Sequence, residues 1–197
     1  MNAPYRPELP ETYISIDIET AGPVPSAYSI LSIGACLVHD PETTFYVELK
    51  PESHDAVDSA MAVSKLSMDV LEVMGEPPAV AMEMFADWVD EVTPEGHRPI
   101  FTAFNAAFDW MFVADYFHRH LGRNPFGYSA LDVKAFAMGS GDTTWAQTSM
   151  NHLAERHLGG RALKHHALSD AQDQAELFRH LLEERHQMNA RPDEDRP

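Results

Sequence analysis

Tyr13-Ile14-Ser15-Ile16-Asp17-Ile18-Glu19-Thr20 reads as a β-strand, because apolar and polar residues alternate and the apolar positions are largely β-branched. Side chains on a strand point to alternate faces, so Ile14, Ile16 and Ile18 share one side while Asp17 and Glu19 project together from the other. Two like charges side by side at a partly buried strand end repel each other, at a cost of about several kcal/mol unless a cation or a shared proton neutralises them. The pair is therefore a candidate ligand set for a divalent metal ion. An isolated D-x-E more often lies on a solvated edge strand, so the rest of the chain decides.

The chain has 197 residues, 44% of them hydrophobic, enough to bury one sizeable core in one domain. That domain is expected over residues 12–187, after a flexible arm (1–11) punctuated by Pro4, Pro7 and Pro10 and before a polar tail (188–197) with little to pack. No run approaches the ~18 apolar residues of a membrane span. The start is polar rather than basic followed by apolar, and the expectation is a cytoplasmic protein without a membrane partner. The single cysteine, Cys36, has no partner within the chain and sits in an apolar run, where a thiol serves as a small buried hydrophobe. Fourteen basic against 31 acidic residues give a net charge of −17, the reverse of the basic footprint of a protein that holds long nucleic acid by its phosphates. Any nucleic-acid partner must be gripped locally.

After the first strand, Gly22, Pro23 and Pro25 mark a turn, and Tyr28–Val38 and Thr43–Leu49 read as two further strands of an antiparallel meander. Ser59–Met74 is expected to hold one or two short helices. In Pro78–Val92 the residues Ala81, Met84, Phe85, Trp88, Val89 and Val92 recur at helical spacing. Pro99–Phe104 is a short apolar strand, and Asn105 is placed to cap a helix running from Ala106 to about Leu121. Leu131–Met138, Ser149–Leu158 and Ala167 to about Gln187 read as helices separated by glycines. Strands in a meander, then helix, strand and more helices, fit an α/β fold: a mixed sheet with helices on its faces.

Asp109 shares a helix face with Phe112, Val113 and Tyr116, and Asp170 shares one with Gln174, Leu177 and Leu181. A carboxylate on an apolar stripe needs a partner, a helix N-terminus or a metal. Together with Asp17 and Glu19, these acids can converge on two divalent ions ~4 Å apart, the arrangement that clamps the attacking and leaving oxygens of phosphoryl transfer. His165, five residues before Asp170, is placed to take a proton from an attacking water near neutral pH.

The segments Asp17-Ile18-Glu19-Thr20, Asn105-Ala106-Ala107-Phe108-Asp109 and His165-His166-Ala167-Leu168-Ser169-Asp170-Ala171 resemble, in order and spacing, the three motifs of the histidine-containing branch of the DEDD 3′→5′ exonucleases. The branch includes ribonuclease T, oligoribonuclease and polymerase proofreading exonucleases. The resemblance spans Tyr13 to about Leu182. It implies a ribonuclease H-like mixed β-sheet with helices on both faces, and hydrolysis of single-stranded RNA or DNA from a free 3′ end to nucleoside 5′-monophosphates. It implies two Mg²⁺ or Mn²⁺ ions, one among Asp17, Glu19 and Asp170 and the other between Asp17 and Asp109, with His165 as general base and His166 a bystander. Thr20, Asn105 and Phe108 match residues around the terminal nucleotide, and a homodimer is a weaker implication. Many relatives carry histidine where this chain has Phe104, which closes an apolar strand, so that change is expected to act on packing.

Arg156–His166 holds Arg156, Arg161 and Lys164, three histidines and no acid, which makes Arg161 and Lys164 candidates for contact with phosphates beside the bond cut. The alternative is that these cations pair with neighbouring acids. Two other functional readings stand beside the exonuclease: a catalytically silent module that binds a nucleotide or a partner, and a phosphodiesterase for small nucleotides. The complete set of four acids and His165 argues against silence.

Overall fold

The computed structural model describes residues 9–141, 143–161 and 164–189. In it β1 (Glu11–Thr20) is the middle strand of a five-stranded sheet, with β2 (Ile30–Leu37) and β3 (Thr44–Glu48) on one side and β4 (Arg98–Ala103) and β5 (Ala130–Asp132) on the other. β1, β2 and β3 form the expected antiparallel meander, while β4 and β5 run parallel to β1. Most of the expected arm and tail lies outside the described residues, as does Leu163 before the third motif.

The alternation in β1 sorts the molecule into layers. Ile14, Ile16 and Ile18, all buried, face α3 (Pro78–Val92) and α4 (Ala107–Leu121), where Phe85, Val89, Phe112, Val113 and Phe117 complete one core. Burying each isoleucine contributes roughly 1.5–3 kcal/mol. The opposite face is covered by α5 (Val133–Ser140), α6 (Met150–His157) and α7 (Ala167–Asn189), with Cys36, Val133, Leu153, Leu177 and Phe178 at its centre. β2, covered on both sides, is buried from Ile30 to Cys36. Cys36 is fully buried, and burial pushes its thiol up to about 12, in keeping with a packing role. Two short helices, α1 (Asp58–Ser64) and α2 (Met68–Met74), lie between the meander and α3. Among the described residues no helix is long and apolar enough to cross a membrane.

Two expectations are corrected. Leu131 and Asp132 belong to β5 rather than to a helix, because a three-residue strand passes directly into α5, whose first turn Asp132 caps by accepting the Ala135 N–H at 3.0 Å. Asn105 does not cap α4: Ala106 holds that position, and Asn105 takes a left-handed φ of 60° while its carbonyl accepts the Phe108 N–H at 3.0 Å. Asparagine tolerates this backbone region better than most residues. β1 begins at Glu11 and α7 runs to Asn189.

Candidate active site

β1 and β4 pair in parallel only from Glu11↔Arg98 to Ser15↔Thr102. Beyond that point the strands part, which opens a crevice at their C-terminal ends, the usual place for a site in an α/β sheet. Asp109, 4% exposed near the start of α4, fills the gap and accepts the Ile18 N–H at 3.2 Å. A β-bulge between Glu19 and Thr20 ends the regular pairing with β2. Glu19 therefore sits at the strand end, where a bulge re-aims side chains.

α7 completes the site because β2 offers no side chain against it. Gly34 pairs with Asp17, and a Cβ built on Gly34 would lie 2.2 Å from the Leu168 amide nitrogen and 2.3 Å from the Ala167 carbonyl carbon. The Ser15 hydroxyl donates to the Ala171 carbonyl at 2.7 Å and fixes the same turn to β1. With the helix start pressed on the sheet, one carboxylate oxygen each from Asp17, Glu19 and Asp170 lies within 4.8 Å of the others. Asp109 stands beside this trio on the other flank of β1.

Asp170 also orders the loop before it. One of its oxygens accepts the Lys164 N–H at 2.8 Å and the other the His165 N–H at 2.9 Å. That clamp holds His165, exposed and left-handed at φ 55°, next to the acids. The next ring, His166, stacks on Tyr46 of β3 at 4.9 Å between centroids and 16° between planes.

No Lys or Arg ion pair reaches Asp17, Glu19, Asp109 or Asp170 among the described residues, so no side-chain cation there neutralises these carboxylates. Burial, then the charges of Asp109, Asp170 and Glu19, push the Asp17 carboxyl well above the usual range, against a hydrogen bond from Gln174. Glu19 is pushed up to about 7 by burial and the charge of Asp170. Asp109 is pushed up to about 8, mainly by burial, with its own backbone N–H and that of Ile18 acting in the opposite direction. Carboxylates that resist ionisation together are a fitting donor set for a divalent cation, which would relieve all of them at once.

Gln174 is the residue whose role the sequence did not disclose. Its Nε2 donates to Asp17 Oδ1 at 2.6 Å and its Oε1 accepts the Phe104 N–H at 2.9 Å, tying the end of β4 to the central acid. A carboxamide on the buried stripe of α7 was the available signal. Phe104 itself packs, half-buried, against the α5–α7 core.

The expected substrate residues are dispersed differently. Thr20, buried, turns its hydroxyl to the Gly22 carbonyl at 2.9 Å. Phe108 is half-buried and packs on Phe112 at 5.4 Å between centroids, whereas Asn105 is exposed. Lys164 is exposed beside the clamp. Arg161 is engaged by Asp173 at 2.9 Å and by Glu176, and Arg156 by Glu184 at 3.3 Å, so the ion-paired alternative describes both arginines.

A mixed five-stranded sheet with four acids converging from the ends of β1, α4 and α7 and a histidine tethered to one of them defines a 3′→5′ exonuclease of ribonuclease H-like fold. The chain belongs to the family described as the 3′-5′ exoribonuclease Rv2179c-like domain, whose model matches residues 12–182. It is 44% identical over 169 residues to the 3′-5′ DNA exonuclease Cap18 of Escherichia coli, an alignment covering 86% of this chain and 90% of that protein. Among solved structures it is similar to the nuclease domain of 3′hExo, a DEDDh family member bound to rAMP (TM-score 0.69, 16% identity, 87% of this chain and 92% of that one). It is similar also to E. coli Exonuclease I in complex with a dT13 oligonucleotide (TM-score 0.64, 17% identity, 87% and 40%). A third similar structure is S. pombe Pop2p in its Mg²⁺ and Mn²⁺ bound form (TM-score 0.60, 17% identity, 86% and 81%).

Proposed function

We propose that this exonuclease hydrolyses the terminal phosphodiester of single-stranded nucleic acid at a free 3′ end, with divalent metal, and releases nucleoside 5′-monophosphates. The observation that carries the reading is the trio of Asp17, Glu19 and Asp170, with oxygens within 4.8 Å of one another and no Lys or Arg paired to them among the described residues. Asp17, Glu19 and Asp170 would hold one Mg²⁺ or Mn²⁺ ion, and Asp17 with Asp109 a second. Such ions supply Lewis-acid neutralisation of charge on the scissile phosphate and the leaving oxygen.

The remaining steps fall to side chains. His165 takes a proton from the attacking water as its oxygen bonds to phosphorus. The bond from phosphorus to the 3′ oxygen of the penultimate nucleotide breaks, that oxygen is protonated from solvent, and the 5′ phosphate leaves with the terminal nucleotide. Gln174 holds the Asp17 carboxylate in place through the reaction, and Asp170 keeps the His165 loop from drifting. Lys164, exposed and next to His165, would meet the phosphate beside the one cut.

The related proteins include a DNA exonuclease by name and a family model named for RNA, which makes the sugar the first thing to measure. Digestion of 5′-labelled single and double strands of DNA and RNA with Mg²⁺, Mn²⁺ or chelator tests the reading. Metal-dependent shortening of single strands from the 3′ end, with monophosphates as product, is expected. Nucleoside 3′-monophosphates, or unchanged cutting in chelator, would overturn it.

A further inference from the structure

In a chain of net charge −17, the placement of unpaired cations is informative. Lys50, Arg98, Arg119, Arg123, Arg156 and Arg161 each meet a carboxylate. Among the described residues, Lys65, Lys134, Lys164, Arg179 and Arg185 do not. Arg179 and Arg185 lie along α7 about 13 and 22 Å beyond Asp170, at the helical rise of about 1.5 Å per residue. Arg185 lies over the half-buried Phe136 ring at 5.5 Å, whereas Lys134 faces an exposed one: its Nζ stands 3.9 Å from the centroid of the Trp145 ring, and that tryptophan is 49% exposed.

The surrounding chain places the pair at the crevice. Asp132 pairs with Ala103, the last residue of β4, and lies near enough for its charge to act on Asp109. Lys134 follows two residues later in the first turn of α5, at the same strand-end edge of the sheet as the acids. Trp145 opens a 3₁₀ turn, Trp145–Thr148, and the turn is fastened at both ends. The Thr144 N–H and hydroxyl both donate to Gln147 Oε1 at 2.9 Å, and the hydroxyl of Thr148, fully buried, donates to the Trp145 carbonyl at 2.8 Å. The chain thus holds a half-exposed aromatic ring on a fastened turn, beside a cation that meets no carboxylate among the described residues and at the strand-end edge of the sheet that carries the acids.

We infer that Lys134 and Trp145 form a subsite for the strand upstream of the bond being cut, with a base stacking on the indole and a phosphate meeting the ammonium. Base stacking on an aromatic side chain tolerates any base, and a single cation fits the shallow electrostatic grip that an acidic protein can provide. The inference rests on the exonuclease reading and adds where the substrate lies.

The test is a length series of single strands, from a dinucleotide to a ten-nucleotide oligomer, cut by wild type, Trp145→Ala, Trp145→Phe and Lys134→Gln with metal present. In Trp145→Ala, KM for the ten-nucleotide strand should rise roughly five- to a hundredfold, the range that one stacked base supplies, with kcat little changed. Trp145→Phe should recover most of that loss. Lys134→Gln should raise KM less and reduce the salt slope of binding by roughly 0.7, the amount for one phosphate on a single strand. The advantage of the long strand over the dinucleotide should shrink in Trp145→Ala and Lys134→Gln, while the metal-linked rise in melting temperature stays that of wild type. A ten-nucleotide KM equal to wild type in both Trp145→Ala and Lys134→Gln overturns the subsite and leaves the exonuclease reading intact. Failure of wild type to shorten any single strand overturns the exonuclease reading itself.

Discussion

Gly34 and Leu168 meet main chain to main chain: the Leu168 amide nitrogen occupies a point 2.2 Å from where a Cβ on Gly34 would be. The contact sets how close α7 comes to β1, and so how close Asp170 comes to Asp17. Gly34→Ala should push the helix start off the sheet and cost roughly 1–3 kcal/mol of stability, as overpacking does. Because a displacement of about 1 Å at a reacting centre can cost 10²-fold, kcat should fall by about that factor and the metal-linked rise in melting temperature should shrink. Wild-type turnover in Gly34→Ala would show that Asp170 does not depend on this contact.

Gln174 bridges the Phe104 amide and Asp17. Outer hydrogen bonds to metal ligands are worth roughly 10–100-fold in metal affinity or activity, and Gln174→Leu, similar in volume, should lose about that much. Titration of activity against Mn²⁺ checks this. A raised metal requirement with near-normal activity at saturation is the expected form, and an unaltered Mn²⁺ dependence would refute it.

The acids make the stability of the metal-free protein fall with pH. Glu19 and Asp109 stand at about 7 and about 8 in the folded chain, against roughly 4 when unfolded. Between those values the native state binds more protons, so the stability these groups contribute is full below about 4 and is lost as pH rises through 7 and 8. Melting curves in chelator at pH 5.5, 7 and 8.5 should descend, and Asp109→Asn should flatten the descent. Saturating Mg²⁺ or Mn²⁺ should offset it in wild type by ligand linkage. A metal-free melting temperature that climbs across this interval contradicts the cluster.

His165→Ala should lower kcat by roughly 10²–10⁴ while the metal-linked rise in melting temperature survives, as loss of a general base requires. His166→Ala removes a ring that stacks on Tyr46 and should do far less. The reverse order of damage would exchange the roles of the two histidines.

The central strand and the acids were legible because they depend on short-range patterns: alternation for Asp17 and Glu19, helical phase for Asp109 and Asp170. What escaped was non-local or too brief for a period. β5 has three residues and merges with α5. Gln174 acquires its role from Phe104 and Asp17, far away in sequence. Asn105 looked like a cap because its side chain suits one, yet the turn used its tolerance of positive φ instead. The basic run around Arg161 could not reveal that Asp173 and Glu176, a helix away, would claim the guanidinium.

The engagement of so many arginines in internal ion pairs bears on what happens between cuts. With most arginines of the described residues held in ion pairs, retention of the shortened strand once its last nucleotide has gone rests on little beyond the Lys134–Trp145 subsite. Departure should then compete with advance by one position, and the enzyme should work distributively. A time course on a uniform labelled strand in substrate excess would show a descending ladder shared by all molecules, rather than full-length strands beside fully digested ones.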